Sequence, residues 1–127
     1  MLSRDTTVHL LALLLALTVV LLAAALGVGT EGTEAVLLAV VFYGLALGGA
    51  HLYLAVRDEE GLVPVASRWR YVGVLTVVLG AWAIATLAGD VTVGFVELST
   101  LLLVLVAVTI GIYVLLESVA GYRASRP

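Results

Sequence analysis

Long apolar runs alternate with short polar segments along this chain. Val8–Val28, Ala35–Val56, Tyr71–Ala88 and Val93–Val119 are almost wholly apolar, and the charges lie between and outside them. Each run is close to, or longer than, the roughly 20 apolar residues that cross a bilayer as a helix. The pattern predicts four membrane-spanning helices. Their connections, Gly29–Glu34, Arg57–Arg70 and Gly89–Thr92, are short. Short connections favour antiparallel neighbours. The expected fold is therefore all-α: an integral membrane four-helix bundle of up-down topology, in one domain over residues 1–127.

Composition agrees and narrows the function. The 127 residues are 63% apolar and only 12% charged, with a mean hydropathy of +1.23. A soluble domain averages about 45–50% apolar and about 25% charged. Four spans use up nearly the whole length, so there is no room for a soluble catalytic or nucleic-acid-binding domain. Cysteine is absent, which excludes disulfides, thiolate metal sites and thiol nucleophiles. The net charge of −3 comes from the connections and tails.

Charge also predicts orientation. All six basic residues are arginines: Arg4, Arg57, Arg68, Arg70, Arg123 and Arg126. They fall in the N-terminal tail, the middle connection and the C-terminal tail. The first connection has Glu31 and Glu34, the third has Asp90, and neither has an arginine. Arginine marks the cytoplasmic side, so the chain is expected N-in and C-in, in the cell membrane. Trp69, Tyr71 and Tyr122 suit the inner interface, while Trp82, in mid-span, is expected to pack on a neighbour or on lipid. A cleaved leader is the rival reading of the first run. Leu10–Leu22 would be its apolar region and Ala23-Ala24-Ala25 its cleavage site. Against it, the apolar run continues to Val28 and Asp5 offsets Arg4.

The connections carry ordinary helix-end signals. Thr33 and Ser67 are expected to cap the second and third helices. Gly61 and Pro64 should stop any extension of the second. The acidic run Asp58-Glu59-Glu60 reads as a solvated helix end, because three adjacent acids cannot all face one ion on a helix.

Helices in lipid associate through small residues and interhelical hydrogen bonds. Each run has such a stripe: Ala12, Ala16, Ala23 and Gly27; Gly44 and Gly48; Ala81, Ala85 and Gly89; Ala107 and Gly111. His51 continues the Gly44–Gly48 stripe and should face protein. Glu97, Thr100, Val104, Ala107, Gly111, Val114 and Ser118 form one stripe on the last helix. Gly44, Gly48, Ala107 and Gly111 are thus the expected packing positions.

The chemistry-bearing residues are few. His51 lies inside a span, where ionisable groups are costly and usually functional. It is suited to proton relay or to a hydrogen bond with a neighbouring helix. Glu97 is a candidate channel-mouth carboxylate, or else a helix-end residue. Glu117 is expected to pair with Arg123 or Arg57, and Tyr53, with Tyr43 and Tyr113, to hydrogen-bond inside the bundle. His9, His51 and Glu117 share a side, but their spacing is no metal motif, and no metal or cofactor is assigned. No span holds a proline or a charge at its midplane. The expected role is a structural or assembly subunit, or an oligomeric interaction module, with no enzymatic activity. Its partners are the lipid bilayer and either further copies or a larger membrane complex. The alternatives are a homo-oligomeric channel or exporter with a pathway near His51 and Glu97, or the membrane anchor of a redox complex.

Overall fold

The computed structural model describes residues 1–126. It is all-helical apart from one two-stranded turn. Helices α1 (Arg4–Ala25), α2 (Gly32–Val56), α3 (Val65–Ala88) and α4 (Leu98–Ser125) are each long and apolar enough to cross a membrane. Strands β1 (Thr92–Val93) and β2 (Val96–Glu97) pair antiparallel between α3 and α4.

The helix starts differ from the expected ones, for local reasons. α1 begins four residues early, because Ser3 Oγ accepts the Thr6 amide at 3.1 Å and caps it. It ends at Ala25, short of Val28, and Gly27 follows with φ +69°. Thr33 does not cap α2. Glu31 takes that position, and the Glu34 carboxylate instead accepts the Gly29 amide at 3.2 Å. α3 starts at Val65, directly after Pro64, so Ser67 lies in its first turn and caps nothing. Proline costs least at a helix start, where its missing N–H would have no partner. α4 begins only at Leu98, because the preceding residues turn at Gly94 (φ +66°) and pair as a hairpin.

Pairings along the helices run in opposite directions at each contact. Gly44 faces Leu79 and Gly48 faces Leu75; Arg70 meets Glu117 near one end of α3 and Ala85 meets Ser99 near the other. Consecutive helices are therefore antiparallel. They form an open row, α1–α2–α3–α4, and not a closed bundle. Among the described residues α4 shares an extended interface with α3 alone, and no residue of α4 is buried.

Small residues set the spacing. Ala16 is fully buried between α1 and α2, where a β-carbon on Gly49 would lie 3.5 Å from Ala12 Cβ. The middle of α2, Gly44–Gly49, has the wider π winding, although no proline predicted a departure there. Three of its six residues are glycine, and they bring the backbone close to both neighbours. A β-carbon on Gly48 would lie 2.5 Å from Leu75 Cδ2. Ala107 and Gly111 behave otherwise. They and the rest of the Glu97–Ser118 stripe are exposed, while Leu102, Val106, Thr109, Tyr113 and Glu117 turn toward α3. Two ties fix this rotation: Arg70 to Glu117 at one end, and the Ser99 amide to the Gly89 carbonyl at the other.

Gly48→Leu is expected to lower the thermal stability of the detergent-solubilised protein by about 1–3 kcal/mol, the usual cost of overpacking. Gly111→Leu, with open space around it, should leave stability unchanged. Equal losses for the two variants would refute this assignment of faces.

Candidate functional site: a polar clamp at the arginine-bearing end

The row has two unlike ends. The start of α1, the end of α2, the start of α3 and the end of α4 lie together and carry every arginine. The opposite end carries Glu31, Glu34, Asp90 and Glu97. All the ion pairs among the described residues are at the arginine-bearing end.

The central one joins α1 to α3. Asp5 and Arg68 are buried, Arg68 completely, and Arg68 Nη2 donates to the Asp5 carboxylate at 2.8 and 3.1 Å. The carboxylate also accepts the Leu62 amide at 2.9 Å, and Arg68 Nη2 donates to the Glu60 carbonyl. The pair thus binds the 57–64 connection from both sides. Gly61 sits between those two contacts at φ +62°, and a β-carbon there would be 2.9 Å from Asp5 Oδ1. Only glycine meets both demands. Arg68 Nε is buried without a partner among the described residues.

His51 and His9 extend the pair into a ring. Arg68 Nη1 lies 3.0 Å from His51 Nδ1. A guanidinium only donates, so Nδ1 accepts and His51 carries its proton on Nε2. His51 Nε2 is 3.4 Å from His9 Nε2, which must accept. His9 therefore carries its proton on Nδ1, and this donates to the Asp5 carbonyl at 2.7 Å. One closed circuit results: Arg68 donates to His51, His51 to His9 and His9 to the Asp5 carbonyl, while Arg68 also donates to the Asp5 carboxylate. The two rings meet edge to face, with centroids 4.9 Å apart, and Tyr71 lies against His51 with centroids at 4.8 Å. This tautomer leaves His51 Nε2 no lone pair for a metal ion.

Two outer clusters flank the ring. Glu117 accepts from Arg70 Nε at 2.7 Å and from Ser67 Oγ at 3.1 Å; its partner is Arg70, not Arg123 or Arg57. His51, Ser67, Tyr71, Tyr113 and Glu117 together line a cavity of about 320 Å³ under the middle connection. On the far side Tyr53 stands between Arg4 and Arg57, whose guanidinium carbons lie 5.8 and 5.6 Å from its ring centre. Glu59, in the acidic run, pairs with both, at 3.3 and 3.7 Å.

No protein-family model, curated protein or solved structure matches this chain. The site is accordingly read from its own geometry. Of the residues singled out in the sequence, His51, Tyr53 and Glu117 come to the same end of the row and His9 joins them. Glu97 does not. It is exposed just before α4, at the opposite end, and among the described residues its carboxylate accepts a hydrogen bond from Ser99 Oγ alone, at 3.4 Å. The residues that sequence reasoning missed are Asp5 and Arg68. Ser3 as a cap and Pro64 as a helix start were the available signals, since each moves one of the pair from a tail or loop into a helix.

Removing one partner of a buried pair strands the other charge and costs about 3–5 kcal/mol, while an apolar replacement of both is often neutral. Asp5→Ala is therefore expected to destabilise by about that amount, and Asp5→Leu combined with Arg68→Met to recover most of the loss. Urea or thermal melts of the singles and the double form the check; additive losses would show that the two side chains act independently.

The tautomers provide a second check. At a pH well above the unperturbed histidine pKa of about 6.5, nitrogen chemical shifts should place the proton of His51 on Nε2 and that of His9 on Nδ1. Arg68→Met should release His51 into a mixture of tautomers. The Nδ1–H form of His51 in the parent protein would contradict the circuit.

Proposed function

We propose that this chain is a multi-pass cell-membrane protein with both termini in the cytoplasm, and that its work is assembly. It serves as a self-associating module or as the membrane subunit of a larger complex. Three features support this reading. First, the antiparallel row gathers all six arginines at one end, the end that the arginine bias assigns to the cytoplasm. Second, most threonines within the spans, and His51, are spent locally. Thr18, Thr76, Thr86 and Thr109 each donate to a carbonyl of their own helix, and both nitrogens of His51 are bonded within the ring. Little is left to line a solute path through one copy of the chain.

The third feature carries the reading: the open edge of the row. α4 rests on α3 alone, and its outward face presents Ala107, Gly111 and Ser118 at helical spacing. Small residues let a second helix approach closely, which is how helices associate in lipid. On this reading the ionisable residues are structural and the chain has no enzymatic role.

Reporter fusions at residue 62 and at the C-terminus should report cytoplasmic, and a fusion in the 29–34 connection external. In detergent, the particle mass should exceed that of one chain, and Gly111→Leu should reduce it without changing the melting temperature. A parent particle of one chain with no co-purifying protein would defeat the assembly reading. So would a pH-dependent flux in proteoliposomes that is lost in His51→Gln, and such a flux would establish the channel alternative.

A further inference from the structure

His51 borders two environments, and its hydrogen bonds use only one of them. In the clamp its nitrogens meet Arg68 Nη1 at 3.0 Å and His9 Nε2 at 3.4 Å. It also lines the cavity of about 320 Å³ under the middle connection, with Tyr71, Tyr113 and Glu117. A water molecule takes about 30 Å³ of liquid, so the cavity has room for an imidazole ring. The Tyr71 ring stands against His51 and lines the cavity as well.

The clamp accepts only a neutral ring. A charged imidazole donates at both nitrogens. In its present place it would aim an N–H and a positive charge at the Arg68 guanidinium. Arg68 is held there: it is completely buried, and its Nη2 donates to Asp5 and to the Glu60 carbonyl. Asp5, the carboxylate on the α1 side, is already matched by Arg68. His9, the other titratable group that α1 brings to His51, is itself a base. Glu59 is engaged with Arg4 and Arg57, and Tyr53, on the same helix as His51, lies between those two arginines.

The cavity side has the opposite chemistry. Glu117 Oε1 accepts from Arg70 and Oε2 from Ser67. An ionised carboxylate has about four acceptor sites, so each oxygen has one to spare. The Tyr71 and Tyr113 hydroxyls can accept too. A charged ring there meets the negative member of an ion pair, whereas in the clamp it meets the positive one.

We propose that His51 is a two-position acid switch. Neutral, it sits between Arg68 and His9; protonated, it turns into the cavity and donates to Glu117. The move exchanges a contact of α2 with α1 for one with α4, the helix at the open edge. A ring that turns in place carries no proton across the row, so the assembly reading stands with or without the switch. Only the side on which acid acts, the cytoplasm, rests on the orientation proposed above.

Nuclear magnetic resonance of the detergent-solubilised protein, with nitrogen-15 in its histidines, tests this at pH about 8 and about 5, on either side of the unperturbed histidine pKa of about 6.5. At the higher pH the His51 Nε2–H should show a contact with the His9 ring. At the lower pH both nitrogens of His51 should carry protons. The His9 contact should then weaken on the order of tenfold, and one with the Tyr113 ring should replace it. His51→Gln keeps a donor and an acceptor but cannot titrate, so residue 51 should stay beside His9 at both pH values. Glu117→Gln keeps an acceptor for Arg70 but removes the charge, and should leave most of His51 in the clamp at pH about 5. A neutral His51 beside His9 at that pH overturns the proposal. So does a charged His51 that remains there, a response in which His9 alone gains the proton, or a displacement undiminished in Glu117→Gln. The reporter fusions read orientation separately: an external signal from residue 62 would refute the cytoplasmic side and leave the switch intact.

Discussion

The buried pair between Asp5 and Arg68 is the constraint on which the arginine-bearing end depends. In an open row each helix is held by its neighbours, and the first and third have no extended interface of their own. Their side chains nevertheless meet at 2.8 Å, across the end of the second. That contact turns a row of separate pairings into a braced unit. It also binds the longest connection, through the Glu60 carbonyl and the Leu62 amide, and fixes the orientation of His51. A buried ion pair is not itself a strong source of stability, because desolvation offsets much of its attraction. Its value is geometric: a misplaced Asp5 or Arg68 leaves a buried charge unpaired, so other registers of α1 against α3 are penalised.

Away from that end the helices are held by shape. On the membrane reading proposed above, the apolar effect gives the helices no preference for each other, so close approach of backbones has to supply the attraction. Ala16, Gly48 and Ala81 are buried small residues, one at each of the row's successive interfaces. The π winding of Gly44–Gly49 serves the same end. Its wider turn carries Gly48 toward Leu75 and Gly49 toward Ala12, so one segment of α2 touches both neighbours. The nearby buried cluster of Val8, Ala50 and Leu54 lies between this segment and the polar clamp.

The sequence showed the helices more clearly than it showed their ends or faces. The apolar runs are long, so the existence and approximate place of all four helices could be read from hydropathy alone. Their starts could not, because a cap or a proline changes helix length without changing hydropathy. That gap hid the main feature of the site. Asp5 read as a tail residue and Arg68 as a loop residue until Ser3 and Pro64 placed both within first turns. The face of α2 was legible, since glycine spacing is a local property. The face of α4 was not. Its rotation is set by Arg70 on another helix and by a hairpin that the apolar run concealed, and neither leaves a mark on the periodicity of α4 itself. His51 was visible as a lone histidine inside an apolar run, but its partners come from α1 and α3.

The direction of the hydrogen bonds bears on what the histidines can do. A proton wire needs members that give on one side and take on the other, with a source at one end and a sink at the other. The circuit here begins at a guanidinium, which gives and cannot take, and reaches a peptide carbonyl, which takes and cannot pass on. A proton arriving at His9 would confront the N–H of His51, and one arriving at His51 Nδ1 would confront Arg68. Each transfer would require His51 to leave Arg68 Nη1 or His9 Nε2. Their arrangement therefore favours a lock over a relay, and it is the fixed tautomer of His51, more than its depth in the helix, that argues for an architectural role.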